Sequence, residues 1–430
     1  MKSYDRAEIQ GMTIKILHLA DIHLGSLAHG KINPVTGINS RLEDFTRSLS
    51  LCIDRAVSEP ADLVLFAGDA FPDAVPPPYV QQVFAQQFRR LADAGIPTVL
   101  LIGNHDQHSQ GLGGASLVIY RSLGVPGFIV GDTIATYTIP TRGGKVQVIT
   151  VPWLTRSALL TRQETQGLSV AAVGELLLEK LTIVLEAEIR RLDPDLPAIL
   201  LGHMMIDTAT YGAERFLAAG KGFTIPLSLV ARSEFDYVAL GHVHRHQVLC
   251  QEPLVVYPGS IERVDFGEEE EEKGYCWVEI TQKRVKFSFC PLPARQFRTI
   301  TVDLTTSEQP LEDLLKTIGA QDIRDCIVRL RYQIRPEQLC QVEQHLIHQA
   351  LAPAHTYRIM PAVQETSSRV SLPELTPDQV LDPLAALQHY LEKRSDLQPL
   401  QADLLSAARH LLEPPQGQLS FLEQQSSLLL

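Results

Sequence analysis

Residues 13–25 read TIKILHLADIHLG, an apolar strand-like run that stops at Asp21-Ile22-His23-Leu24-Gly25. The same design recurs along the chain. ADLVLFAGDAF ends on Gly68-Asp69, and IPTVLLIGNHD ends on Gly103-Asn104-His105-Asp106. AILLGH closes on Gly202-His203, and YVALGHVH closes on Gly241-His242-Val243-His244. Between the runs lie helical patterns. Leu42, Phe45, Leu49, Cys52 and Ala56 form a stripe at helical spacing, as do Val83, Phe84, Phe88 and Leu91. Near-continuous apolar strands alternating with helices imply an α/β domain whose sheet is covered on both faces. The later runs, after residue 250, are joined by short polar turns and read as antiparallel.

The polar residues at these run ends form one chemical set. Residues two apart on an extended segment point the same way, so Asp21 with His23, and His242 with His244, can each face one site. Strand carboxyl ends are where α/β folds gather their active sites. Together the segments supply Asp21, His23, Asp69, Asn104, His203, His242 and His244. One bridging carboxylate would let them hold two ions about 3.5–4 Å apart, an arrangement suited to phosphoester hydrolysis. Mixed imidazole and carboxylate donors favour Mn, Fe or Zn over Ca or Mg alone. A lone DxH or GNHD is a common turn. Five such segments, each behind an apolar strand, make a metal centre the stronger reading. His18, His29, His108 and His246 lie near the motifs without fitting their pattern, as core, surface or supporting residues.

Composition bounds the rest. The chain has 430 residues, 45% hydrophobic and 20% charged, as expected of a folded protein of more than one domain. No uninterrupted apolar stretch reaches membrane-spanning length, and the first residues lack the apolar core of a signal peptide. The six cysteines show no CxxC pair, which points to reduced thiols and a cytoplasmic setting. The net charge of −12 is unusual for a protein that grips phosphates unaided. Bound cations or a basic partner would have to supply the positive charge.

The order DxH, GD, GNHD, GH, GHxH resembles that of the calcineurin-like metallophosphoesterases. A further segment narrows the likeness: Tyr257-Pro258-Gly259-Ser260-Ile261-Glu262-Arg263-Val264-Asp265-Phe266-Gly267-Glu268, followed by acidic residues and Lys273-Gly274-Tyr275. It is similar to the signature of the SbcD nuclease subunits and their break-repair relatives. The resemblance implies a calcineurin-like sandwich, with sheets covered by helices, over residues 13–295 after an extension at 1–12. It implies a small α+β capping domain at 296–362, where FRTITVDL, IVRLRYQI and HTYRIM read as strands. A linker at 363–375, a helical partner-binding segment at 376–412 and a tail at 413–430 complete the expected organisation.

The same resemblance implies roles. Asp21, His23 and His244 would hold one ion and Asn104, His203 and His242 the other, with Asp69 bridging and Mn2+ the expected metal. His105 would be the catalytic histidine at the leaving group, oriented by Asp106. Some relatives carry a second histidine three residues after the bridging aspartate, where this chain has Pro72. The implied activity is exonuclease on duplex ends and endonuclease on single-stranded or hairpin DNA. A stand-alone phosphatase or phosphodiesterase is the alternative. The implied partners are DNA, an SbcC-type coiled-coil ATPase and a second copy of the chain, with no membrane. Phe84 and Leu117 are the expected dimer contacts, with a place in the monomer core as the alternative, and the run Glu268–Glu272 reads as a solvated loop. In the tail, Thr376-Pro377-Asp378-Gln379 has the residues of a capping box. The stripes Val380/Leu384/Leu387/Leu391 and Leu400/Leu404/Ala407/Leu411 would dock on the ATPase, packing back on the enzyme being the alternative.

Overall fold

The computed structural model describes residues 13–108, 114–155, 162–212, 223–364, 383–392 and 397–412. The chain divides into two compact units, Met1–Gln333 with Cys340–Ala362 and Ile334–Leu339 with Val363–Leu430.

Two six-stranded sheets build the first unit. One holds β1 (Thr13–Leu19), β2 (Leu63–Phe66), β3 (Thr98–Leu101), β4 (Phe128–Gly131), β13 (Gly274–Thr281) and β14 (Arg284–Pro291), in the order β14-β13-β1-β2-β3-β4. The other holds β5 (Ala135–Thr141), β6 (Gly144–Val151), β7 (Ala198–His203), β10 (Tyr237–Gly241), β11 (Gln247–Gln251) and β12 (Leu254–Tyr257), in the order β11-β12-β10-β7-β6-β5. A short parallel pair, β8 (Met205–Ile206) and β9 (Thr224–Ile225), accompanies them. Strands β1 to β4 are parallel, as are β6, β7, β10 and β12, while β13, β14, β11 and β5 join antiparallel.

Strand alternation explains the layers. Ile14 and Ile16 of β1, Leu63 and Leu65 of β2, and Val99 and Leu101 of β3 turn inward onto Ile199, Leu201, Tyr237 and Ala239 of the second sheet. Their neighbours Leu17, Leu19, Val64, Phe66 and Leu100 turn outward. There they meet Phe45, Leu49 and Cys52 of α1 (Ser40–Ser58) and Phe84 and Phe88 of α2 (Pro78–Asp93). Each large side chain buried this way contributes about 1.5–3 kcal/mol. The second sheet is covered by Leu181, Leu185 and Ile189 from a helix at Val170–Ile189. Apolar runs look alike whether a face meets a helix or another sheet, so the run pattern alone does not distinguish one doubly covered sheet from two.

His18 lies in the inter-sheet face, fully buried. Its Nε2–H donates to the Leu240 carbonyl (3.2 Å), so its Nδ1 accepts from the Tyr237 hydroxyl (2.9 Å).

The same unit carries a three-stranded sheet, β15 (Phe297–Asp303), β16 (Ile327–Ile334) and β17 (Thr356–Val363), with helices at Pro310–Gly319 and Gln344–Leu351. Polar contacts fasten it to the sandwich. Arg295 grips Asp44 of α1 with Nε and Nη2 at 2.6 and 2.7 Å. His355 Nε2 lies 2.7 Å from Ser40 Oγ, and Glu269 accepts from Thr299 N and Oγ1 at 2.7 and 2.5 Å.

Two expected dimer contacts are core residues instead. Phe84 stacks on Phe88 with centroids 4.2 Å apart, and Leu117, just before α3 (Val118–Ser122), is fully buried. Exposed apolar side chains nearby include Tyr79, Ile119 and Leu123.

In the second unit, helices at Pro383–Glu392 and Gln401–Leu412 contact each other, and Leu400, Leu404 and Leu411 are exposed. The capping box at 376–379, Val380, the extension at 1–12 and the tail at 413–430 lie outside the described residues. Among the described residues, no helix is long and apolar enough to cross a membrane.

Candidate metal centre

Strand ends from both sheets converge on one place. The first sheet delivers Asp21 and His23 after β1, Asp69 after β2, and Asn104, His105 and Asp106 after β3. The second delivers His203 at the end of β7, and His242 and His244 after β10. The backbone there is unusual. Asp21, His23, Asp69 and His242 have φ of +50°, +46°, +59° and +102°, a region that costs L-residues energy and that clusters at functional sites. Adjacent glycines allow the close approach. A Cβ on Gly103 would sit 2.1 Å from Asp69 Oδ1, and one on Gly241 would sit 2.1 Å from the Ala67 carbonyl oxygen.

Two buried groups of donor atoms result, Asp21/His23/His244 and Asp69/His203/His242, the atoms within each lying within 4.8 Å of one another. The Asp69 carboxylate stands between them, with Oδ2 3.4 Å from His203 Nε2 and 3.9 Å from His23 Nε2. Asn104 joins the second group, its Oδ1 2.9 Å from both His203 Nε2 and His242 Nδ1.

The hydrogen bonds assign the tautomers. His203 Nδ1–H donates to the Ala67 carbonyl at 2.7 Å, which leaves Nε2 to face the site. His244 Nδ1–H donates to Glu268 Oε1 at 2.7 Å, and its Nε2 then faces His23 Nε2 at 3.0 Å. His242 Nε2 is buried without a hydrogen-bond partner in the structure. The orphaned His242 nitrogen is costly to bury without a partner, and a cation among these inward-facing donors would supply one. The residues present fit two divalent ions.

The electrostatics agree. Burial pushes the Asp21 carboxyl up to about 7, against the pull of His203 and His244. Burial works against charge on His203 and His244, yet Asp69 beside the first and Glu268 beside the second hold both up at about 9. Protons therefore stand where cations would, and ligand protonation competes with metal binding.

His105 and Asp106 separate in role. His105 Nδ1–H donates to the Pro72 carbonyl at 2.8 Å, and its ring lies edge-on to His23 at 5.1 Å. The expectation that Asp106 orients this ring needs correcting. The Asp106 carboxylate accepts the backbone N–H groups of Asp69, Ala70 and Gly103 at 2.9, 3.0 and 2.9 Å. It ties two strand-end loops together, and the Pro72 carbonyl holds the histidine.

Three residues at the site were not read from the sequence. Glu268 is buried rather than solvated, held by Lys273 Nζ at 2.6 Å as well as by His244. Lys273 is equally buried and also reaches Glu271 and the His244 carbonyl. Two cations, Arg263 and Lys273, bracketing an acidic run were the available signal. Trp153 packs its ring 4.9 Å from His242 and 6.0 Å from His203. It follows an ordinary strand, and nothing in its spacing marks it.

Two solved structures are similar to this chain at low identity. TT1561 of Thermus thermophilus is 18% identical at a TM-score of 0.34, over 64% of this chain and 99% of that one. A dimetal phosphatase from Danio rerio is 12% identical at a TM-score of 0.39, over 65% of this chain and all of that one. The profile of the calcineurin-like phosphoesterases matches residues 14–246, more than half of the chain and the stretch that carries every strand end described above, so the chain belongs to that family and is a metal-dependent phosphoesterase.

Proposed function

We propose that this phosphoesterase is a DNA nuclease of the SbcD type, working with Mn2+ on duplex ends and on single-stranded or hairpin DNA. The segment Tyr257–Lys273 carries this reading. Beyond matching that signature, it is a buried polar frame between the metal centre and the three-stranded sheet. Arg263 donates to the carbonyls of Glu268, Glu271 and Arg295, and Glu262 accepts from the N–H groups of Arg263 and Arg295.

Asp21, His23 and His244 would hold one ion, Asn104, His203 and His242 the other, and Asp69 would touch both. Bound there, two divalent ions supply a nucleophile from water at neutral pH and neutralise charge on the phosphoryl oxygens. His105 performs the proton step. With Nδ1–H committed to Pro72, its Nε2 is the nitrogen left to pass a proton to the departing sugar oxygen. The ions would supply the positive charge that a chain of net charge −12 lacks.

The exposed Leu400, Leu404 and Leu411 support docking of the tail on an SbcC-type coiled-coil ATPase, and Tyr79, Ile119 and Leu123 support pairing with a second copy. The test is incubation with Mn2+ and end-labelled duplex and hairpin DNA, beside a phosphomonoester, with and without such an ATPase and ATP. DNA cleavage is expected. Hydrolysis of the monoester with DNA left intact would instead make the chain a stand-alone phosphatase.

A further inference from the structure

We propose that Glu268 is a positioning residue of the metal centre, and that Lys273 keeps it in place. The inference rests on the two-ion centre and not on the nature of the substrate.

His244 reaches the site with its Nε2, so whatever engages its Nδ1 sets the ring's tautomer and angle. That partner is Glu268 Oε1, at 2.7 Å. An imidazole whose far N–H is bonded to a carboxylate is a better donor and rotates less, and losing such a partner typically weakens metal binding by about 10–100-fold. The Glu268 carboxylate is itself fixed from several sides. Its Oε2 takes Lys273 Nζ at 2.6 Å and the Val264 N–H at 3.1 Å, and Ser260 Oγ lies 3.4 Å away. Lys273 also donates to the His244 carbonyl at 3.1 Å, so one ammonium fastens both the carboxylate and the backbone of the histidine it serves. The other ring partners differ in kind. His203 and His105 present their Nδ1–H to backbone carbonyls of Ala67 and Pro72, and His242 faces an amide oxygen. Among these four rings, His244 alone has a carboxylate behind it, so the effect of Glu268 is confined to the Asp21/His23/His244 group.

The asymmetry is testable by titrating metal-free protein with Mn2+ in a calorimeter, for wild type, Glu268→Ala and Glu268→Gln. Wild type is expected to take two ions. Glu268→Ala should bind one as wild type does and the other at least tenfold more weakly. Glu268→Gln keeps an oxygen for the Nδ1–H and should recover most of that loss, a rescue that a merely structural role would not produce. Lys273→Met should weaken the same ion. Co2+ absorption of the loaded proteins should change in one of its two components only. Equal weakening of both ions, or wild-type affinity in both Glu268 variants, would overturn the proposal. If Glu268→Ala does not fold, Glu268→Gln decides. A mild weakening of one ion supports the proposal, and unchanged affinity refutes it. These readouts involve no nucleic acid, so they stand or fall apart from the nuclease reading.

Discussion

His23 Nε2 and His244 Nε2 face each other at 3.0 Å, both rings buried, although they come from strand ends of two different sheets. His244 commits its Nδ1–H to Glu268, so its Nε2 turns to His23 Nε2, and in the metal-free protein a proton bridges the two rings. A divalent ion would replace that proton and join the two sheets. Stripping metal with a chelator should therefore lower the melting temperature, and Mn2+ at a hundred times its Kd should restore about 2.7 kcal/mol per site. A melting temperature indifferent to chelator and metal would contradict the assignment.

His105 is held by a backbone carbonyl and lies outside both donor groups. His105→Ala should retain metal and DNA binding while turnover falls by about 10²–10⁴. Metal analysis and single-turnover cleavage on one preparation test this. Lost metal would mean that the ring is a ligand.

His18 predicts how stability depends on pH. Burial, more than any partner, lowers its pKa to about 3 from an ordinary 6.5. The unfolded chain thus takes up a proton below pH 6.5 that the folded chain refuses. Stability is fully present above about pH 6.5 and is lost as pH falls towards about 3, by roughly 3 kcal/mol at pH 4 from this residue alone. Urea unfolding of wild type and His18→Gln across about pH 4–7 should show a shallower fall in the variant. Parallel curves would remove His18 from the account.

Burial of Phe84 and Leu117 moves any self-association to exposed side chains. Leu123 is 69% exposed and Ile119 51%. Leu123→Asp should leave the melting temperature unchanged and reduce the mass seen by light scattering, whereas Phe84→Ala should cost about 3–5 kcal/mol of folding stability. A Leu123→Asp protein of undiminished mass would place the contact elsewhere.

Much of the centre was legible because its geometry is local. Asp21 and His23 do reach one donor group, although left-handed backbone past the end of β1, and not strand alternation, brings them there. The glycines at 68, 103 and 241 mark where the chain must leave each strand sharply. The partnership of β1–β3 with β7 and β10 across two sheets was not written in the run pattern, since Leu65 and Phe66 are equally apolar although one meets a sheet and the other a helix. Glu268 was misread because an acidic run in isolation is best solvated. Only the fold brings Lys273 and His244 to it. Asp106 was misread because adjacency in sequence suggested His105 as its partner, while backbone N–H groups from two loops surround its carboxylate.

Asp69 is the residue on which the two-ion account turns, with one oxygen 3.4 Å from His203 and 3.9 Å from His23. The most direct measurement is the number of Mn2+ ions bound per folded chain, by metal analysis after equilibrium dialysis, in wild type and Asp69→Ala. The account predicts two ions in wild type, weakened binding of both in the variant, and no Mn2+-dependent phosphodiester cleavage by it. A variant that keeps two ions and cleaves at the wild-type rate would contradict the account.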